Sequence, residues 1–416
     1  MDPWAVVLDG TEAEEDTLSN NGDRLVGPIS SGELQRRWAA VRSGMRDREL
    51  QALVVQASND WLGGYLRWFT ALPANNAYPR TVMFSLEGTM SLIQQGPFDG
   101  EIELDGTDPT YPGVGRILTT PSYVSAGATA HYDSDIIVAE LTRQKHGNVG
   151  LVAPASMYHG FGAGLTAALA ESGISVVDAT DLVDDVKAIK SPLEQDLIRQ
   201  TAALQDDVLA AVREHIRPGM RDFEVAAFAQ YTAQLLGSEQ GIYIGSSAPL
   251  GHAAPFRPRW QQGREICEGD AFTLLIETNG PGGMYTELAR PIVLGTASTR
   301  MKDMWELVVA AQQNSLALLK PGTPSAEVYA AHNDFVRAAG QPAEKRLYAH
   351  GQGHDMVERP LIRQDETMNI AEGMNLTVHP AVKADDLFVA VVDNYFIGPE
   401  GPGECLHHSP KEIIEI

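Results

Sequence analysis

The chain has 416 residues, 44% of them hydrophobic, with 31 Lys and Arg against 55 Asp and Glu, a net charge of −24. That length predicts two or three domains with substantial cores, and that acidity repels phosphate backbones and argues against a nucleic-acid partner. Only Cys267 and Cys405 are available for sulfur chemistry, no run approaches the ~18 apolar residues of a membrane helix, and MDPWAVVLDGTEAEED lacks the basic and apolar regions of a signal peptide, so the expectation is a cytoplasmic protein.

Residues 1–30 are acidic and polar and read as a loose lead-in. ELQRRWAAVRSGMRDREL then has helical periodicity, ALVVQA, TVMFSL and MSLIQQ read as strands, and NVGLVA, YHGFGAGLTAALAESG and SVVDAT as strand, helix and strand. This alternation predicts an α/β domain over 1–180, with a second domain over 181–416. Next comes AIKSPLEQDLIRQTAALQDDVLAAVREHI, a long amphipathic helix entered through Ser191-Pro192.

The second half repeats itself. IRPGMRDFEVAAFA from Ile216 and LKPGTPSAEVYAAH from Leu319 match at a constant offset of 103, which pairs Pro218 with Pro321, Gly219 with Gly322, Glu224 with Glu327 and Gly237 with Gly340. A gapless match of this kind predicts a duplicated α+β half-domain, each copy reading helix, Pro-Gly turn, helix.

Two hairpins oppose polar residues. In AFTLLIETNGPGGMYTELARPIVL, a turn centred on Gly282 sets Glu277 opposite Glu287, and like charges opposed in a sheet are unfavourable unless a cation lies between them. A metal ion would resolve this, and so would an arginine, although Arg290 is spaced to point to the other face. In MNLTVHPAVKADDLFVAVVDNYFI, a turn centred on Asp386 sets His379 opposite Asp393, and Asp393 and Asn394 break an apolar run. In YAHGQGHDMVERP, glycines flank His350 and His354, where the backbone can approach a ligand. Together these residues point to a metal or acid–base centre.

These segments resemble the creatinase, prolidase and aminopeptidase P superfamily, peptidase family M24. AIKSPLEQDLIRQ is similar to its linker helix, HGQGHDMVERP to its His-Gly-x-Gly-x-x-x-His-Glu-x-Pro pattern, and SNDWLGGYLRWF stands at the N-domain segment Asn-x-x-Tyr-Leu-(Thr/Ser)-Gly-Phe. The resemblance implies an α/β N-terminal domain plus an α+β pita-bread catalytic domain with an internal pseudo-twofold repeat. The family's metal ligands, Asp, Asp, His, Glu and Glu, correspond here to Glu277, Glu287, His350, His379 and Asp393, so only the histidine is unchanged. GPGGMYTELARP is similar in register to iron-dependent dimethylsulfoniopropionate lyases, and MYTELAR to creatinase, which works without metal. Val357 stands where the peptidases carry a second histidine.

The resemblance implies an enzyme with one or two divalent ions (Fe, Mn or Zn) or none. His252, His354 and Glu358 would be its proton-moving groups, with Glu358 alternatively in a structural salt bridge to Arg359 or another arginine. Arg67, Trp68, Tyr285 and Arg290 would contact a small substrate carrying a carboxylate, Arg67 and Trp68 reaching across a homodimer. The expected chemistry is hydrolysis of a non-peptide C–N bond or an elimination. The alternatives are an Xaa-Pro aminopeptidase or dipeptidase and a catalytically inactive binding protein.

Overall fold

The computed structural model describes residues 29–56, 64–73, 78–129 and 131–416; the expected lead-in up to residue 28 and the SNDWLG portion of SNDWLGGYLRWF lie outside them. Helix α1 (Ser31–Asp47) starts at Ser30, whose hydroxyl accepts from the Glu33 N–H, and places Val41 and Met45 on the core. The chain continues through β1 (Ala52–Gln56), α2 (Gly64–Thr70), β2 (Thr81–Ser85), β3 (Met90–Gln95), β4 (Gly100–Glu103), β5 (Val114–Thr120), α3 (Tyr132–Gln144), β6 (Asn148–Val152), α4 (His159–Glu171) and β7 (Ser175–Asp178). The strands form one mixed sheet in the order β4-β5-β3-β2-β1-β6-β7. Because side chains alternate along a strand, Leu53 and Val55 of β1 pack with α1 and α2, while Ala52 and Val54 pack with α3 and α4. Burial on both faces explains why residues 52–55 are continuously apolar.

After α5 (Thr180–Ala188) comes α6 (Pro192–His215), begun by a capping box in which Ser191 and Glu194 satisfy each other's backbone N–H groups. There follow α7 (Asp222–Leu235), β8 (Gly241–Pro249), β9 (Asp270–Asn279), β10 (Tyr285–Val293), α8 (Thr299–Leu316) and α9 (Ser325–Ala338). The last part comprises β11 (Ala349–Gly351), β12 (Glu358–Leu361), β13 (Asn375–Val378), β14 (Ala381–Lys383), β15 (Phe388–Ala390), β16 (Asp393–Gly398), β17 (Gly401–Cys405) and β18 (Ile414–Glu415). Two larger sheets result, β18-β10-β9-β8 and β12-β11-β13-β16-β17, joined by a bridge between Ala289 and Val392, and β14 and β15 form a separate two-stranded hairpin.

The duplication is structural. The second helices of the two pairs begin at Asp222 and Ser325, preserving the sequence offset. Gly219 and Gly322 both take positive φ, near 92° and 91°, and each donates its N–H to an isoleucine carbonyl, Ile266 and Ile370, at 2.8 Å. These turns need glycine, since a side chain at such φ is strained. The fold is the pita-bread architecture with a pseudo-twofold repeat. Among the described residues, no helix is long and apolar enough to cross a membrane.

A buried arginine ties the halves together. Arg37, fully inaccessible, donates to Glu33 at 2.9 Å, to the Trp68 carbonyl at 2.9 Å and to Glu194 of α6 at 2.8 Å. Replacing it by alanine takes the close cation from buried Glu194, leaves Glu33 to Arg36 alone, and frees the buried Trp68 carbonyl. Arg37→Ala is therefore expected to cost about 3–5 kcal/mol, read as a fall in the urea unfolding midpoint. Arg46→Ala, which breaks an exposed pair with Glu87, should stay within about 1 kcal/mol of the parent.

Candidate metal centre

The β9–β10 hairpin turns through Pro281-Gly282-Gly283, with Gly282 and Gly283 at φ 68° and 76°, and its ladder sets Glu287 directly opposite Glu277. Both carboxyls are buried. Gln352 donates to Glu277 at 2.9 Å, Thr377 donates to Glu287 at 3.2 Å, and the Glu287 N–H is held by Asn394 at 2.9 Å. Burial pushes both carboxyls up, Glu287 to about 7 and Glu277 well above its usual range, where the neighbouring Glu287 charge adds to the rise. Two such groups cannot both ionise cheaply without a cation.

Two imidazoles close the site. His350 stands on β11 opposite Thr377, and its Nδ1 donates to the Gly351 carbonyl at 2.9 Å, which leaves Nε2 with its lone pair free to ligate. His379 follows β13 directly, anchored by its backbone N–H on the Tyr348 carbonyl at 2.8 Å. Its residue surface is partly exposed, yet Nε2 is shielded and has no hydrogen-bond partner among the described residues. The rings lie 5.2 Å apart at 70°. Burial pushes His350 down to about 4 and His379 well below its usual value, with His350 adding to the second shift, so both are neutral and in the ligating state.

Ligand atoms of Glu287, His350 and His379 all lie within 4.8 Å of one another. Two bonds of about 2.1 Å across one cation span about 4.2 Å, so small side-chain movements would seat an ion. The shielded, unpartnered nitrogen of His379 and the opposed carboxyls both fit a divalent metal.

Asp393 requires a correction. The ladder pairs it with Val378, one residue away from the expected His379, and a one-residue shift turns a side chain to the opposite face. Its fully buried carboxylate meets Arg290 at 2.6 Å, Lys411 at 3.3 Å and Gln312 at 3.2 Å. Burial alone would raise it, but Arg290 and Lys411 outweigh that and hold it below the usual range. Arg290 is consumed by this pair and by backbone carbonyls, which leaves it no fork for a substrate. The inward place belongs to Asn394, which bonds Gln352 at 2.8 Å and Asn375 at 3.2 Å. Gln352, Asn375 and Thr377 went unread in the sequence, where amides and hydroxyls in short strands carry no distinctive pattern.

Other expectations also change. Glu358 pairs with Lys187 at 2.6 Å and Lys190 at 2.7 Å, not with Arg359, which bonds Glu366 at 2.5 Å. Burial raises Glu358, but the two ammonium groups overcome this and bring it to about 2, so it is a fixed anion and not a proton donor near neutrality. Arg67 forms a two-pronged pair with Glu239 of its own chain, and Trp68 is a fully buried core residue. Both side chains are thus engaged within this chain. Tyr285 is buried at the start of β10, its backbone N–H on the Gly353 carbonyl at 2.7 Å. His354 is buried, with neither ring nitrogen partnered among the described residues, and burial together with Arg37 and Arg67 keeps it neutral. His252 is exposed on the turn after β8, outside the buried cluster.

Comparison with known proteins gives a consistent picture. Residues 196–399 match Metallopeptidase family M24. The chain is 23% identical over 240 residues to an Xaa-Pro dipeptidase of Pyrococcus furiosus, covering 56% of this chain and 67% of that protein. It is 27% identical over 248 residues to a probable dipeptidase PepE of Mycobacterium tuberculosis, covering 59% and 65%. The alignments thus span about two thirds of these relatives. An X-Pro aminopeptidase structure from Thermotoga maritima superposes with TM-score 0.73 at 16% identity over 91% of this chain and 99% of that one. Dipeptidase PepE from Mycobacterium ulcerans gives 0.73 at 19% over 94% and 99%. At these identities the structures establish the fold.

Since a proton on Glu287 competes with a cation, affinity for Zn(II) or Mn(II) should tighten as pH rises through about 7. Below that point it should weaken at least about tenfold per unit, since Glu287 alone gives up one proton and Glu277 adds to the demand, measured by competitive titration with a chromophoric chelator. His379→Ala should weaken metal binding at least about 100-fold. Asp393→Asn should retain metal while costing about 3 kcal/mol in stability, because Arg290 is left buried with less compensation.

Proposed function

We propose that this chain, whose residues 196–399 belong to metallopeptidase family M24, hydrolyses the amide C–N bond of a dipeptide-sized substrate with one divalent ion held by Glu287, His350 and His379. The convergence of these three side chains around a shielded, unpartnered nitrogen carries the reading. Two histidines and a carboxylate suit Fe(II), Mn(II) or Zn(II). Charge argues for one ion. Glu277 and Glu287 balance a single dication, whereas Asp393 is already neutralised by Arg290 and Lys411. A second dication would leave uncompensated buried charge.

When bound, the ion supplies Lewis acidity, polarising a carbonyl and acidifying a water. The chain's own groups do the rest. Gln352 engages one oxygen of Glu277 and leaves the other to take and return a proton. Neutral His354 is available to hydrogen-bond a substrate amide. Glu358 organises Lys187 and Lys190 beside it.

The names of the relatives favour a dipeptide, which reverses the order of substrates expected from the sequence. One observation keeps a non-peptide substrate as the second reading. Half-exposed Val357 stands where the peptidase pattern has a histidine, and valine cannot donate a hydrogen bond to a tetrahedral oxyanion.

The test is a panel of Xaa-Pro and other dipeptides, with small non-peptide amides, assayed on protein loaded with Fe(II), Mn(II) or Zn(II). Chelator-sensitive hydrolysis of a dipeptide is expected, with kcat/KM below about 10⁴ M⁻¹s⁻¹, and Val357→His should raise it about 100-fold. A non-peptide amide turned over ten times better than every dipeptide would install the second reading. Absence of metal-dependent hydrolysis across the panel would remove both.

A further inference from the structure

A separate cavity of about 350 Å³ lies between α8, α9, the 341–346 loop and β14. Its volume is in the range of small-molecule sites. The helices line it with Val308, Ala311 and Val336, which make an apolar wall. Its polar lining is the reverse of the whole chain. Lys345, Arg346 and Lys383 stand against a single carboxylate, Glu344, in a protein of net charge −24.

Arg346 is oriented for recognition. Its Nε and one terminal nitrogen sit on Glu344 at 3.1 and 2.6 Å, and the same carboxylate accepts the backbone N–H groups of Lys345 and Arg346 at 2.9 and 2.7 Å. The guanidinium plane is thereby fixed, while its remaining terminal nitrogen has no partner among the described residues and the side chain is half-exposed. A guanidinium held in this way can still donate from its outer end to a further carboxylate.

The cavity also adjoins the metal centre. Pro380 in its wall directly follows His379. His332, in the same wall, stacks on Tyr348 at 3.7 Å, and the Tyr348 carbonyl anchors the His379 backbone.

We infer that this cavity binds a small carboxylate with an apolar body, of the size of an acylated aliphatic amino acid. The positive lining selects the anion, and the α8–α9 wall takes the hydrocarbon. The bound carboxylate is either part of the hydrolysed substrate or a separate ligand, and the chemistry of recognition is the same for both.

The probes are N-acetyl-leucine and its uncharged amide, titrated calorimetrically into the full-length, chelator-treated protein so that no carboxylate can coordinate metal. The acid should bind about 10- to 100-fold tighter than the amide, the range of one to two charge-assisted bonds. Arg346→Gln should abolish most of that preference without moving the thermal midpoint, and Lys383→Gln should reduce it. Equal binding of acid and amide, binding of neither, or a preference that survives Arg346→Gln would overturn the inference. On metal-loaded protein, competitive inhibition of hydrolysis by N-acetyl-leucine would assign the cavity to the substrate. Non-competitive inhibition, or tight binding without inhibition, would assign it to a separate ligand. Because the binding arm needs no turnover, it is decided even if the hydrolase reading fails.

Discussion

Two carboxyls, Glu277 and Glu287, face each other inside a sheet, and much of the second half is arranged around that unfavourable contact. The surrounding sheet supplies each with a neutral donor, Gln352 and Thr377. Among the described residues, no arginine or lysine forms an ion pair with either carboxyl, which would quench the pair permanently, and Arg346 acts on Glu287 only from a distance. The two neutral histidines add lone pairs and no charge. The resulting pocket is rich in donors to carboxylates and poor in cations, the condition under which a bound dication contributes most to stability.

Legibility in the sequence followed the range of the interaction. The Glu277–Glu287 pairing was readable because one tight turn fixes it and no bulge interrupts the ladder. The helix duplication was readable because glycines at positive φ must recur where the turn recurs. The β13–β16 register was not. The chain between them carries its own small hairpin, β14–β15, so the residue opposite Asp393 is set by packing on α8 and not by a turn motif. That one residue moved Asp393 from the face of the candidate metal centre to the opposite one.

Long-range ion pairs were the other blind spot. Glu358 has Arg359 as its neighbour in sequence, yet its partners are Lys187 in the last turn of α5 and Lys190 just beyond it. Arg67 looks like a surface residue beside a core tryptophan, yet a carboxylate past α7 holds it. In each case the charged group is buried where the N-terminal part meets the C-terminal part, and a buried charge takes whichever counter-charge the tertiary fold brings to it. Residue type can say that a partner must exist, but only topology chooses it.

Strand β10 shows how closely these constraints are coupled. Glu287 and Arg290 are three residues apart, so period-two alternation sends them to opposite faces. On one face Glu287 meets the histidines; on the other Arg290 neutralises Asp393. A slip of one residue would turn Arg290 toward the dicarboxylate and Glu287 toward Asp393, quenching the first site and doubling the negative charge of the second. The unbroken β9–β10 ladder, the Ala289–Val392 bridge and the Asn394 clasp on the Glu287 N–H all oppose that slip. The buried ion pair on the opposite face therefore acts as a register lock. By holding Asp393 and Arg290 together, it keeps the metal face free of fixed cations, and the fold specifies the site through the strand that both share.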